Sequence, residues 1–407
     1  MIAKSGAPSH PHIYELDPLR SLTALAVVAV HVLFFTSGFY GNAAATTIQF
    51  GLLDTVHWTR DVFLAITAFV LTYVYYGRPF SARSFWSKRS LGVLLPYVLW
   101  SLAYSWANNP VHEPVAFAKT AFVQILTGTA SYQLYYILLT LQIYIVLPLF
   151  LALLKRIARH PWRALAISFV LELVTMHVLF QYLQQGPLAS SSLGQSLFAF
   201  ANGFLLTYQF YVILGGLGAL YMDRVRAFLS SHGKWAIGAF VFGLGIALAD
   251  YAFEIWVHHM SPVLASAVLQ PVIIIYSLGV IVFLYWLGWV WASRAKPGKE
   301  PPGYGFWHLL SDATFGIYLV QAFVLTAVFT WVFPKMPNAW PTGLRVLMIW
   351  VLTAGGSAFI TIVFLNLPIA SRLVGRPSRW PRRERATALQ QGLSNRIPHE
   401  TKVEANQ

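Results

Sequence analysis

Long apolar stretches recur along the whole chain, and their number constrains the fold more than any other feature. Ten are long enough to cross a bilayer: 16–39, 61–77, 90–107, 132–154, 162–182, 197–221, 235–257, 265–292, 306–333 and 343–368. A crossing helix needs about 20 predominantly apolar residues, since each adds about 1.5 Å and the hydrocarbon layer is about 30 Å thick. In that layer the backbone must satisfy its own hydrogen bonds, which favours helices over open sheet. Composition agrees: 57% of residues are hydrophobic and 10% charged, against about 25% charged in soluble domains. The expected fold is an all-α, polytopic bundle of about ten transmembrane helices.

Basic residues alternate between the connections. Arg78, Arg83, Lys88 and Arg89 follow the second stretch, Lys155, Arg156, Arg159 and Arg163 the fourth, Arg224, Arg226 and Lys234 the sixth, and Arg294, Lys296 and Lys299 the eighth. Cytoplasmic loops carry such an excess, so both termini are expected in the cytoplasm of a chain inserted in the cytoplasmic (inner) membrane. Much of the net charge of +14 is then topological. Three parts are expected: a cytoplasmic segment 1–15, a transmembrane domain 16–370, and a basic, disordered tail 371–407. The stretch Glu113 to Gly128 is too short to cross and reads as an interfacial helix or an irregular loop. The Gly215-Gly216-Leu217-Gly218 cluster reads as a place where two helices approach closely.

The chain has no cysteine, which excludes disulfides, thiolate metal sites and a cysteine-borne acyl intermediate. Phosphate-cradling glycine loops, zinc-ligand spacings, nucleophile elbows and nucleic-acid modules are also missing from the sequence. His258 and His259 are adjacent in an outer loop and do not make a metal site by themselves, and no metal is expected in the chain. Oligomeric state is not legible.

Arg20 and His31 lie in the first apolar stretch, eleven residues apart. At about 3.6 residues per turn that is close to three turns, so both face the same way about 16 Å apart. A cation and an imidazole on one face of a spanning helix are costly unless they line a polar cavity or find partners. Arg20 reads as a ligand for an anion, or as an ion-pair partner of Asp17 or Asp312. His31 is suited to proton transfer, because imidazole titrates near neutrality without perturbation. Asp61 follows Arg60 and reads as a local salt link or as the group that orients His31. Asp250 and Glu254 share a helix face at i, i+4 near the outer side. Glu172 and His177 splay by about 140° and need separate partners.

Several of these segments resemble the acyltransferase 3 family, membrane enzymes that decorate surface glycans and related acceptors in bacteria. Leu16-Asp17-Pro18-Leu19-Arg20 followed by His31 is similar to its first-helix signature, and Asp61-Val62-Phe63-Leu64-Ala65-Ile66-Thr67-Ala68-Phe69 to its second. Phe85-Trp86-Ser87-Lys88-Arg89 with Pro96 and Tyr97 is similar to its basic loop and third helix. Tyr135-Tyr136-Ile137, Tyr144 and Pro148 resemble the fourth helix, and Thr314-Phe315-Gly316-Ile317-Tyr318-Leu319 the ninth. Three positions depart: Thr67-Ala68 replaces Ser-Gly, Gly92 stands where a second Arg is usual, and Gln321 stands where His is common. Gln keeps hydrogen bonding and gives up proton transfer.

The resemblance implies an O-acyltransferase. It would move an acyl group, most commonly acetyl, from cytosolic acyl-coenzyme A, a co-substrate rather than a resident cofactor, to a hydroxyl of a cell-surface or lipid-linked glycan. It implies His31 and Arg20 as catalytic residues and Lys88, Arg89, Thr67 and Tyr318 as donor-binding residues. Asp61, Asp250, Glu254 and Gln321 are then expected to contact the acceptor. The rival reading is a membrane exporter of a glycan or small metabolite, which the scattered intramembrane Asp, Glu, His and Arg also satisfy. Against it, the chain shows no paired, inverted halves.

Overall fold

The structure, a computed structural model, describes residues 11–109 and 113–377. Among these there are helices and no strands. In chain order the α-helices are α1 (Leu16–Phe35), α2 (Ala43–Asp54), α3 (Thr59–Tyr75), α4 (Ala82–Arg89), α5 (Leu95–Asn108), α6 (Pro114–Thr127), α7 (Tyr135–Ile157) and α8 (Pro161–Val178). They continue with α9 (Ser192–Asn202), α10 (Gln209–Leu220), α11 (Met222–Trp256), α12 (Pro262–Ala265), α13 (Pro271–Ala292), α14 (Tyr304–Ala327) and α15 (Thr342–Asn366).

Eight helices among the described residues are long and apolar enough to cross a membrane. They correspond to eight of the ten apolar stretches, and in three of them π turns lengthen or join α-helices, as at Ser90–Leu94 between α4 and α5. The other two stretches differ in form. The one at 197–221 is split into α9 and α10, bent by 60° at a short break. The one at 61–77 is α3, whose 17 residues make about 25 Å, the short limit for crossing. The protein is thus a multi-pass membrane protein. Its lipid-facing character shows on the outer helices, where Trp162, Ile167, Val170, Val241 and Phe242 are exposed.

Local sequence explains most helix starts. Proline occupies the first turn of α5, α6, α8 and α13, where its missing N–H costs nothing. The Glu113 carboxylate accepts from the Val115 and Ala116 N–H groups, which starts α6 and holds that carboxyl below its ordinary value. The stretch from Glu113 is therefore a helix, ended by Gly128 at φ +73°. α2 escaped the hydropathy reading because 12 residues cannot span; the Asn42 side chain caps it by accepting from Ala45 N at 2.8 Å.

α1 is the axis of the bundle, with α3, α13, α14 and α15 packed around it. α3 is pressed against α10 at the glycine cluster: a Cβ on Gly215 would sit 2.1 Å from the Ala65 carbonyl oxygen. That close approach is what the small-residue run permits. The chain does not leave the bundle at 370. Ala370–Val374 forms a short 3-10 turn, the Leu373 carbonyl accepts from Trp100 Nε1 at 2.9 Å, and Val374 is 1% exposed. Residues 371–377 are thus packed on the bundle rather than part of a disordered tail; the rest of the expected tail, 378–407, like 1–10, lies outside the described residues.

Candidate functional site

Two cavities lie along α1, and the face it shares between Arg20 and His31 opens into both. The larger, about 940 Å³, is bordered by Arg20, by Thr67 on α3, by Lys88, Arg89 and Gly92 around the α4–α5 junction, by Tyr144 on α7 and by Tyr318 on α14. Arg372 and Arg376, from the segment after α15, complete it. Among the described residues, five cationic side chains border this cavity and no carboxylate does. Arg20 makes no ion pair among the described residues. Its two candidate partners are otherwise engaged, Asp17 by His12 at 2.7 Å and Asp312 by Arg376 at 3.2 Å. The ion-pair reading of Arg20 is therefore not realised.

Arg372 and Arg376 were beyond sequence reasoning, since they sit about 350 residues from Arg20 and were assigned to a tail. Gly375 explains their arrival. The Gly375 backbone, at φ +68°, packs so close that a Cβ there would lie 2.3 Å from the Gly92 carbonyl oxygen. Glycine at 375 lets the C-terminal segment dock on the basic junction and supply cations where an arginine at 92 is missing; a Cβ on Gly92 would meet only ordinary contact, 3.7 Å from the Gly375 carbonyl oxygen.

The smaller pocket, about 60 Å³, holds His31, His57, Thr59, Arg60, Gln133 and Tyr135. Pockets for whole small molecules run about 300–1,000 Å³; the large cavity is in that range and the small one admits only a reacting group. Phe63, Tyr136 and Tyr318 line both, so these rings are the partition between them. Tyr136 and Tyr318 ring centroids are 5.7 Å apart, and the Tyr318 hydroxyl donates to the Gln133 carbonyl. The His31 ring lies 4.5 Å from that of Tyr132. No hydrogen bond among the described residues engages its imidazole, leaving both nitrogens available to a substrate.

His57 was missed. It is buried, and its Nδ1 lacks a hydrogen-bond partner 3.8 Å from Asp54 Oδ1, which lacks one too. Burial pushes the Asp54 carboxyl above its ordinary value, against the pull of His57. Their i, i+3 spacing was readable, but the pair lies between two apolar stretches and only the packing of α2 brings it to His31.

The remaining expected residues are placed as follows. The Thr67 hydroxyl borders the large cavity while donating to Phe63 O at 2.8 Å. Arg89 lies over the rings of Phe85 and Tyr144, 5.8 and 5.6 Å from their centroids. Asp61 lines neither cavity; Arg60 Nε at 3.2 Å and the Ser277 hydroxyl at 2.8 Å take its carboxylate. It is the local salt link, not the group that orients His31. Gln321 is buried outside both pockets and donates to Tyr318 O at 3.3 Å. Asp250 and Glu254 also lie outside them, and Glu254 accepts from His258 Nδ1 at 2.7 Å. Glu172 accepts from Phe210 N at 2.9 Å and Gln209 Nε2 at 3.2 Å, while His177 is exposed.

A family model described as an acyltransferase domain, that of acyltransferase 3, matches residues 13–365. No curated protein and no solved structure matches the chain.

Proposed function

The chain belongs to the acyltransferase 3 family, and from that premise we propose that it transfers an acyl group from coenzyme A to a hydroxyl of a glycan, across the partition between its two cavities. The observation that carries the reading is that one face of α1 joins a cation-lined cavity of nucleotide size to an imidazole pocket. Coenzyme A is polyanionic, and Arg20, Lys88, Arg89, Arg372 and Arg376 are a matching set of donors for its phosphates. In this reading the large cavity opens to the cytosol, where the donor is made, and the basic connections face the same side. The acceptor, a cell-surface or lipid-linked glycan, then approaches the His31 pocket from the other face of the cytoplasmic membrane.

The thioester carbonyl reaches His31 when the Tyr136 and Tyr318 rings move aside. The acceptor hydroxyl gives its proton to the imidazole as its oxygen bonds to the carbonyl carbon. The C–S bond then breaks, its electron pair leaves on sulfur, and the imidazolium returns the proton to the thiolate. No other reactant is needed, and the products are an ester and free coenzyme A. His57, in the same pocket and facing Asp54, is placed to hold the acceptor hydroxyl toward His31. Thr67 and Tyr318 border the path of the acyl group.

The test is release of coenzyme A and transfer of label from radiolabelled acetyl- and succinyl-coenzyme A to a surface-glycan extract, using protein reconstituted in lipid. Turnover in the wild type that vanishes in His31→Ala supports the reading. Glycan flux without release of coenzyme A from any donor would replace it with export.

A further inference from the structure

We infer that His12, Asp17 and His308 form a site for one divalent transition-metal ion of the zinc class, which clips the segment ahead of α1 to α14. Each residue offers one donor atom, and these atoms all lie within 4.8 Å of one another. His12 Nε2 is 2.7 Å and His308 Nδ1 is 3.4 Å from the same oxygen, Asp17 Oδ2. Zinc holds such donors at about 2.0–2.2 Å, which sets tetrahedral donors about 3.3 Å apart. The three atoms therefore close on an ion with movements of about an ångström.

Four further features distinguish this group from a chance contact. His308 Nδ1 is buried and has no hydrogen-bond partner; the carboxylate oxygen it faces already meets His12, and a cation satisfies all three donors together. Asp17 is 1% exposed, and buried carboxylates are paired or coordinate a metal. His308 Nε2, the nitrogen turned away from the site, faces Asp312 Oδ2 at 3.9 Å, the usual backing of a metal-bound imidazole. Finally, aromatic rings fix both imidazoles: Tyr304 stacks on His308 at 5.0 Å, and Tyr14 meets His12 edge-on at 5.0 Å.

Two imidazoles and one carboxylate suit zinc, cobalt or nickel, whereas magnesium and calcium prefer oxygen alone. Three protein ligands leave a fourth position to water. The site is linked to two residues that border the large cavity, Arg20 and Arg376. Asp17 precedes Arg20 by three residues on α1, and Asp312, behind His308, pairs with Arg376 at 3.2 Å. Occupancy would fix the positions of two of the cavity's cations.

The inference does not depend on the proposed reaction, and its test reads metal directly. Tag-free full-length protein in detergent, stripped with a chelator, is titrated with Zn²⁺ against a chromophoric competitor. Because the chain has 12 histidines, His160→Ala, at an exposed position, serves as the control for adventitious binding. One equivalent should bind to the wild type and to His160→Ala. Affinity should fall roughly 10- to 100-fold in Asp312→Asn, as for loss of an outer partner, and further in His12→Ala and His308→Ala. Co²⁺ should give the visible bands of a four-coordinate site in the wild type and lose them in the ligand variants. His308→Cys, which replaces one ligand with another, should restore zinc binding even if the alanine variants are poorly folded. Equal zinc affinity in the wild type and the His12→Ala/His308→Ala double variant, or no one-equivalent binding in the wild type, would overturn the assignment.

Discussion

The two cavities along α1 meet opposite requirements. Among the described residues, the one at Arg20 is wide and bordered by five cations and no carboxylate; the one at His31 is narrow and lined by four aromatic rings, two imidazoles, a single cation, Arg60, and small or amide side chains. A polyanion is held best by many donors spread over a broad surface, each contributing modestly while water still reaches the site. Proton transfer needs the reverse, a small enclosure where a few groups sit at contact distance and water is scarce. One helix can serve both because its residues three turns apart share a face while lying about 16 Å apart. In the proposed reaction the chemical step falls at the partition formed by Phe63, Tyr136 and Tyr318.

Under the proposed reaction, variants at the two ends should fail differently. His31→Ala should lower kcat roughly 10²- to 10⁴-fold, the usual contribution of a positioned acid–base group, with little change in the KM for acyl-coenzyme A. Equal loss in kcat and donor affinity would merge the two sites into one. Arg20→Ala should act mainly on the KM for the donor, raising it roughly 10- to 100-fold, since a hydrogen bond to a charged group contributes about 1.5–3 kcal/mol; Arg20→Lys should recover part of the loss. If Arg20→Ala instead left KM unchanged and abolished kcat, Arg20 would belong with His31.

The partition gives a third comparison. Tyr318→Phe removes the hydroxyl that bonds the Gln133 carbonyl. It should admit water, so that coenzyme A release exceeds acyl product severalfold; strict coupling in the variant would mean that other groups seal the pocket. Smaller effects are expected for Arg372→Gln and Arg376→Gln, about threefold each in kcat/KM at low salt. They should fade as the Debye length shrinks to about 3 Å near 1 M salt. Asp250→Asn and Glu254→Gln, outside both cavities, should leave donor KM and kcat unchanged and alter at most the acceptor KM. A change in donor KM would show that the outer acidic pair is coupled to the large cavity.

Parts of this site were legible in the residues and parts were not, for a definite reason. Arg20 and His31 could be paired from spacing because both sit on one helix, whose geometry is set locally by the backbone. Lys88 and Arg89 were readable as a basic group beside an apolar stretch. Asp61 was readable only as a choice, because a neighbouring Arg60 and a distant His31 are equally allowed by sequence; the Ser277 hydroxyl, on α13, completes the salt link and decides it. Arg372, Arg376 and His57 carry no local signal of their destination.

By itself the sequence determined the class of the molecule: an all-helical membrane bundle, the approximate positions of the eight long spanning helices among the described residues, the family segments from residue 16 to about 322, and the alignment of Arg20 with His31. These follow from hydropathy and helical period, which depend on residues a few positions apart. The tertiary structure alone decided that one face of α1 opens into two cavities rather than one, that the C-terminal segment docks through Gly375 against the Gly92 backbone, and that His12 meets His308. Such meetings join residues hundreds of positions apart, and their partners are chosen by how helices pack and how closely two backbones approach, quantities that no local pattern encodes.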